Sequence, residues 1–301
     1  MTTGTEQTKL RVGFIGIGGM GSRMASRLLA AGYPLTIYNR ARERTHALEE
    51  RGAQVAALPE TLAAGSDVVF SSVADDAAIG SVMLGQGGAL TAARPGTIFI
   101  DMSTVLPSTS RGLCAAGLER GVAFLDAPVS GTTSTAEQGQ LLIFVGGEKS
   151  VYESCRPIFS ILGKESFYMG PTGAGAMMKL CANTLLGVGM QALAEAVAFG
   201  LKGGLERDRL LEVIGNTAVV SRSQISKLKN VSSGAYPAEF PLRLMSKDFG
   251  LIADTATHLA ATMPSTAAAQ RMCAMESARQ SAAGREEDFS SIIRAMERIS
   301  V

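Results

Sequence analysis

The chain has 301 residues, 46% of them hydrophobic and 18% charged, which is enough apolar material for two domains and an ordinary composition for a folded protein. Lys and Arg number 28 against 27 Asp and Glu, so no basic surplus draws the chain to nucleic acid or to an anionic membrane, and the expected partner is a small molecule. Cys114, Cys155, Cys181 and Cys273 are scattered, with no Cys-x-x-Cys pair and only His46 and His258 to add imidazole; neither a metal site nor a disulfide framework is expected, and a cytoplasmic location suits free thiols.

Residues 1–8 are short and polar, without the apolar core of a signal peptide or the arginine-rich pattern of a transit sequence, and read as a disordered tail. The apolar run of residues 10–15 predicts a strand that ends in Gly16-Ile17-Gly18-Gly19-Met20-Gly21. Residues 22–31 keep Met24, Leu28 and Leu29 roughly on one helical face, and a second strand follows at 35–38. This βαβ spacing turns a weak glycine motif into a dinucleotide cradle: Gly16 for the tight turn, Gly18 for close approach of a pyrophosphate, and Gly21 for helix packing on the strand. The phosphates would sit at the helix N-terminus, where unpaired N–H groups and the helix dipole attract anions.

The end of the second strand selects the nucleotide. An acidic residue there would bind the ribose hydroxyls of NAD, but the chain has Asn39-Arg40, followed by Arg42 and Arg44. A planar guanidinium can hold a 2′-phosphate through two parallel hydrogen bonds, so NADP(H) is the expected cofactor and NAD the weaker alternative. The competing view is a solvated, arginine-rich helix start capped by Asn39.

Further strands are predicted at residues 67–73, 97–101, 122–126 and 141–145, with helical segments between them. That alternation predicts an α/β Rossmann-type domain over residues 1–172, with a doubly wound, mostly parallel sheet. Ligands bind beyond the C-terminal strand ends of such sheets, which directs attention to Val73-Ala74-Asp75, Met102-Ser103-Thr104 and Ala127-Pro128-Val129-Ser130.

Residues 174–201 read as one long helix, apolar on nearly every side and strongly interrupted only by Lys179, Asn183, Gln191 and Glu195. Lys179 and Glu195 would be costly in a membrane, while Gly187 and Gly189 suit close helix packing. A buried helix joining two domains is expected, covered by other helices of this chain or of a second subunit. Helices are predicted at 208–214, 223–229, 242–259, 267–283 and 289–299, making residues 173–301 an all-α domain and a homodimer or homotetramer the expected assembly.

Lys179 stands out as a charge in an apolar helix. It should face a polar cleft, pair with an anion or shift its pKa downward. Asn183 lies four residues on and Gly175 four before, so Lys179 and Asn183 point the same way and Gly175 leaves room beside them. When hydride reaches a carbonyl carbon, the oxygen must be protonated, and a positioned lysine can do this; in reverse it accepts the alcohol proton.

Five ordered blocks then resemble the β-hydroxyacid dehydrogenase family, relatives of 3-hydroxyisobutyrate dehydrogenase and, more distantly, of 6-phosphogluconate dehydrogenase. They are the glycine loop, Asp101-Met102-Ser103-Thr104, Asp126-Ala127-Pro128-Val129-Ser130-Gly131, the run from Gly173 through Lys179 to Asn183, and Lys247-Asp248. The resemblance covers nearly the whole chain. It implies Lys179 as catalytic acid/base with Asn183 beside it, and Ser130 and Gly131 gripping a substrate carboxylate. It further implies that Thr104 and Lys247 touch the cofactor, that Asp248 orients Lys247 and that Phe240 walls the substrate pocket. The substrate would be a small 3-hydroxy acid, semialdehyde or 2-oxo acid, bound between the domains.

Two positions depart from the family pattern. Thr132-Thr133 stands where many relatives carry a further glycine, so Thr132 should add a branched wall and a hydroxyl beside the carboxylate grip. Ala182-Asn183 replaces an Asn-Asn pair, leaving the asparagine on the face of the lysine. Two alternatives share the fold: an imine reductase, which usually lacks the lysine, and a non-catalytic nucleotide-binding scaffold, which would have no need of Lys179 and Asn183.

Overall fold

The computed structural model describes residues 9–300; the polar stretch expected to be a disordered tail lies outside them. The chain divides into two compact units, Met1–Lys179 and Leu180–Val301.

In the first unit, short runs of Val, Ile and Phe form strands because branched and aromatic side chains pack well on a pleated surface. In chain order the elements are β1 (Val12–Ile15), α1 (Gly19–Ala30), β2 (Leu35–Tyr38), α2 (His46–Glu49), β3 (Gln54–Val55), α3 (Pro59–Ala64), β4 (Val68–Ser71) and α4 (Asp76–Leu84). Then follow β5 (Ile98–Asp101), α5 (Pro107–Leu118), β6 (Ala123–Asp126), β7 (Val129–Ser130), α6 (Thr133–Glu137), β8 (Leu141–Gly146), α7 (Lys149–Leu162) and β9 (Gly163–Gly170).

The strands form one sheet in the order β3-β2-β1-β4-β5-β6-β8-β7, with β9 also on β8. Neighbours from β3 to β6 are parallel, whereas β8 runs antiparallel to β6 and β7 and parallel to β9. Strand order reverses around β1, which pairs with β2 on one side and β4 on the other. The crevice at the C-terminal ends of β1 and β4 is therefore the place where sheets of this kind bind ligands.

Side-chain alternation fills two cores, one on each face. Val12, Phe14, Phe70, Ile100 and Leu125 belong to one, and Ile15, Val69, Phe99 and Phe124 to the other. Phe14 and Phe70 stack at 5.8 Å between centroids, and burying each contributes roughly 1.5–3 kcal/mol. The sequence pattern located every strand that carries this double core. It missed β3 and β7, each only two residues long, and the edge strand β9, whose mostly exposed residues need no apolar alternation.

The remaining helices are α8 (Ala174–Lys202), α9 (Arg207–Gly215), α10 (Arg222–Ser233), α11 (Leu242–His258), α12 (Pro264–Ala282) and α13 (Ile292–Ser300). The predicted last helix is divided: Phe289–Ser291 form a 3-10 turn, started by the Asp288 carboxylate accepting the Ser290 N–H, before α13 begins. Lys227 is buried against Asp288 at 2.8 Å and reaches Glu239 at 2.6 Å, a group of charges that no apolar period announces.

The long helix, expected to be covered by helices of this chain or of a second subunit, is only partly covered by this chain. By length and composition α8 could cross a membrane, yet it buries Leu180, Met190, Leu193, Ala194 and Val197 while leaving Leu185 and Phe199 78% and 82% exposed. Its apolar character thus exceeds what the helices of a single chain cover.

Candidate active site

The chain leaves β1 through Gly16 at φ +96°, a left-handed conformation that suits glycine. A Cβ on Gly16 would lie 2.2 Å from the Ser72 carbonyl oxygen, and one on Gly21 only 1.9 Å from that of Gly16, so both glycines are demanded by backbone packing. A Cβ on Gly18 would meet nothing within 4 Å, and Gly19 is exposed. Gly18 is the N-cap of α1 and no side chain caps it. The first helical N–H groups, through Met20, thus have no side-chain cap, and a helix start of this kind suits an anionic phosphate.

Asn39 braces this loop. Its Oδ1 accepts the Ile17 N–H at 2.9 Å, and its Nδ2 donates to the Ala41 carbonyl at 2.8 Å. It does not start a helix: Arg42–Thr45 form a 3-10 turn whose N-cap is Ala41. Arg40 is exposed beyond the brace, and Arg42 lies 3.6 Å from Glu49.

The ends of β4 and β5 are tied by a network absent from the motif reading. Asp101, 1% exposed, accepts from the hydroxyls of Ser71 and Ser103 at 2.7 Å through the same Oδ1. Ser103 Oγ in turn accepts the Val73 N–H at 2.9 Å. Val73 and Thr104 are half-buried and Ala74 is exposed, so the two loops expected to touch the cofactor are fastened from beneath.

At the end of β6, Asp126 is 1% exposed and receives two backbone donors from the start of α8. Gly173 N–H donates to Oδ1 at 2.7 Å and Ala176 N–H to Oδ2 at 2.8 Å. Gly175 does not leave room beside the lysine, as expected from its position, but lets the helix meet the sheet. A Cβ there would lie 2.3 Å from the Phe144 carbonyl oxygen and 2.6 Å from that of Asp126. Lys179 follows one turn later and is half-buried. Burial pushes the Asp126 carboxyl up to about 6 against the pull of the Gly173 and Ala176 N–H groups, with Asp101 adding to the rise. Burial raises Asp101 as well.

Ser130 is half-buried in β7, paired with Leu142 of β8, and Gly131 and Thr132 after it are exposed. Thr132 is the N-cap of α6: its Oγ1 accepts the Thr135 N–H at 3.3 Å, while Thr135 Oγ1 accepts the Thr132 N–H at 2.7 Å. A helix cap thus occupies the acceptor side of the hydroxyl that the sequence placed beside a carboxylate.

In the second unit Asn183 is 2% exposed and donates to Asp248 Oδ2 at 2.6 Å, while Lys247 Nζ lies 2.9 Å from Asp248 Oδ1. Asp248 therefore bridges Asn183 and Lys247. Phe240 packs edge-on against Phe289 at 5.6 Å and donates its N–H to Asp288 Oδ2 at 3.0 Å. The residues that motif reasoning left without a role are Ser71, Asp101, Ser103 and Asp126. The available signal was a carboxylate ending an otherwise apolar strand, which occurs at both Asp101 and Asp126.

Two family models divide the chain. Residues 11–170 match the NAD binding domain of 6-phosphogluconate dehydrogenase, and residues 173–296 match the domain described as NAD-binding of NADP-dependent 3-hydroxyisobutyrate dehydrogenase. The chain belongs to the β-hydroxyacid dehydrogenase family. It is 36% identical to 2-(hydroxymethyl)glutarate dehydrogenase of Eubacterium barkeri, covering 98% of this chain and 97% of that protein. It is also 36% identical to glyoxylate/succinic semialdehyde reductase 1 of Arabidopsis thaliana, over 95% and 98% of the two chains. Among solved structures it resembles 3-hydroxyisobutyrate dehydrogenase of Mycobacterium tuberculosis with L-serine, at a TM-score of 0.86, 28% identity and coverage of 96% and 99%. The protein is accordingly an oxidoreductase of the hydroxy-acid dehydrogenase type with an NAD(P)-binding Rossmann domain.

Gly21→Ala should cost about 1–3 kcal/mol in a urea titration, because the added methyl meets backbone that cannot yield easily. A pH dependence also follows from Asp126. The folded protein holds its proton up to about pH 6, whereas the unfolded chain releases it near the ordinary 3.8. The native state binds more protons between those values, so stability should fall by on the order of 2–3 kcal/mol as pH rises from about 4 to about 6. Asp126→Asn should reduce that slope in urea titrations at pH 4.5 and 6.5.

Proposed function

We propose that the protein is an NADP(H)-preferring reductase and dehydrogenase of small carboxylates, interconverting a 3-hydroxy acid and its semialdehyde, or reducing a 2-oxo acid. NAD(H) would be the poorer cofactor. The reading is carried by a lysine on the first turns of a helix whose start is bonded to Asp126 at the end of β6, four residues before Ser130. Relatives named for 2-(hydroxymethyl)glutarate and for glyoxylate and succinic semialdehyde support the substrate class.

The reduced nicotinamide supplies hydride to the substrate carbonyl carbon. Lys179 supplies the proton for the carbonyl oxygen in reduction and takes it from the hydroxyl in oxidation. Asn183, fixed by Asp248, presents an amide on the same side of the helix as the lysine. Ser130 and the Gly131 N–H donate to the substrate carboxylate, Thr132 bounds it, and Phe240 contributes an apolar wall. The backbone of Gly18, Gly19 and Met20 receives the pyrophosphate, and Arg40 the 2′-phosphate. Val73, Ala74, Thr104 and Lys247 would complete the cofactor contacts.

Lys179 favours this activity over imine reduction and over a purely nucleotide-binding role. The exposed α8 stripe containing Leu185 and Phe199 would be covered by a second copy, in a homodimer or homotetramer. The free thiols suit a cytoplasmic setting.

A panel of small 3-hydroxy acids and semialdehydes assayed with both nucleotides tests the proposal. Lys179→Ala should lower kcat by about 10²–10⁴ with nucleotide affinity nearly retained; normal turnover would remove the assignment. Arg40→Asp should shift the ratio of kcat/KM for NADPH over NADH by at least tenfold toward NADH, on the order of 1.4 kcal/mol. An unchanged ratio would mean that another group reads the ribose.

A further inference from the structure

The two oxygens of Asp126 are divided between two N–H groups three residues apart, Gly173 on Oδ1 and Ala176 on Oδ2. A one-residue slip of α8 would move it about 1.5 Å along its axis and turn it by about 100°, breaking both bonds. The helix cannot settle deeper either, since the carbonyl oxygens of Phe144 and Asp126 occupy the space where Gly175 has no Cβ. The carboxylate fixes rotation and axial position, and the glycine contact fixes depth.

Asp126 needs no contact with substrate or cofactor to matter for the reaction. Lys179 is three residues beyond Ala176, less than one helical turn from the second bond. We infer that Asp126 is a positioning residue: by holding both N–H groups at the start of α8 it sets the register of the helix on β6 and β8, and with it the location of the Lys179 ammonium.

This rests on the reading of Lys179 as acid/base. Proton transfer depends steeply on placement, and a displacement of about 1 Å can cost on the order of 100-fold in rate. Asp is suited to the task because it offers two acceptors and no donor. Asn retains one acceptor but turns an NH₂ toward the other N–H, and Ala offers neither. The expected order of activity is therefore Asp, then Asn, then Ala, in folded proteins whose nucleotide sites are unaltered.

The test compares wild type, Asp126→Asn, Asp126→Ala, Gly175→Ala and Lys179→Ala at a temperature where circular dichroism finds each folded. Leu211→Ala, buried in α9 of the second unit, controls for loss of stability. The readouts are kcat on the fastest substrate of the panel, the Kd of NADPH by fluorescence, and amide hydrogen exchange over residues 173–179.

Asp126→Ala should lose at least tenfold in kcat with the NADPH Kd within twofold, and the amides of residues 173–179 should exchange at least tenfold faster. Asp126→Asn should recover part of both. Gly175→Ala, with the carboxylate intact, should lose kcat at least fivefold, and Leu211→Ala should change neither kcat nor that exchange. The inference is overturned if Asp126→Ala keeps kcat within twofold while Lys179→Ala is inactive, if exchange over 173–179 is unchanged, or if kcat and NADPH affinity fall together. Should Asp126→Ala be unfolded, Asp126→Asn and Gly175→Ala decide by the same criteria. Full turnover in Lys179→Ala would instead sink the acid/base reading itself, and the exchange data would still report whether Asp126 holds the helix start.

Discussion

A buried carboxylate at the end of β6 holds the beginning of the longest helix, and the geometry around Lys179 depends on it. The start of a helix presents N–H groups without intrahelical acceptors, and a sheet end buried under such a start must supply those acceptors or lose stability. Asp126 supplies two at once, and its negative charge lies at the favourable end of the helix dipole. The charge is expensive to bury, which is why the carboxyl is pushed up to about 6 even though both oxygens are bonded. The local cost is accepted at a point where the chain leaves the sheet for the helix that carries the lysine.

The neighbouring strand repeats the device in a different form. Asp101 is the register partner of Asp126 across β5 and β6, and it gathers the Ser71 and Ser103 hydroxyls instead of a helix end. Through Ser103 the bond reaches the Val73 N–H, so the loop after β4 is held by a group ending β5. Asn39 does the same for the glycine loop from the end of β2. Two adjacent loops at the C-terminal edge of the sheet, after β1 and after β4, are thus each fastened by a side chain from just beyond a neighbouring strand. This leaves the backbone of Gly18 and the residues after it open to a ligand while the surrounding loops stay fixed.

Much of this architecture was legible in the order of residues. The double-sided apolar strands around Phe14, Phe70, Phe99 and Leu125 follow from a period of two over short runs, and the glycine loop follows from the spacing of Gly16, Gly18 and Gly21, although its contacts with Ser72 and Asn39 come from far along the chain. The membership in the family was legible from five ordered blocks. Less legible were the roles of polar residues at strand ends, because their partners lie far along the chain: Asp126 meets Gly173 and Ala176 from 47 and 50 residues away, and Asn183 meets Asp248 from 65. Nothing local distinguishes such an acid from a solvated one.

Gly175 illustrates the same limit. It was read from its neighbours as space beside a lysine, and the folded chain uses it to bring a helix onto two carbonyl oxygens. Thr132, read against the family pattern, has a local duty that the pattern does not announce, the cap of a short helix. The sequence by itself determined the alternation of strands and helices, the dinucleotide loop and the lysine set in an apolar helix, since these depend on periodicity and on what a side chain costs to bury. Only the tertiary structure decided which carboxylate ends which helix and which loops are tied together, because those bonds join segments whose proximity exists only after the sheet has formed.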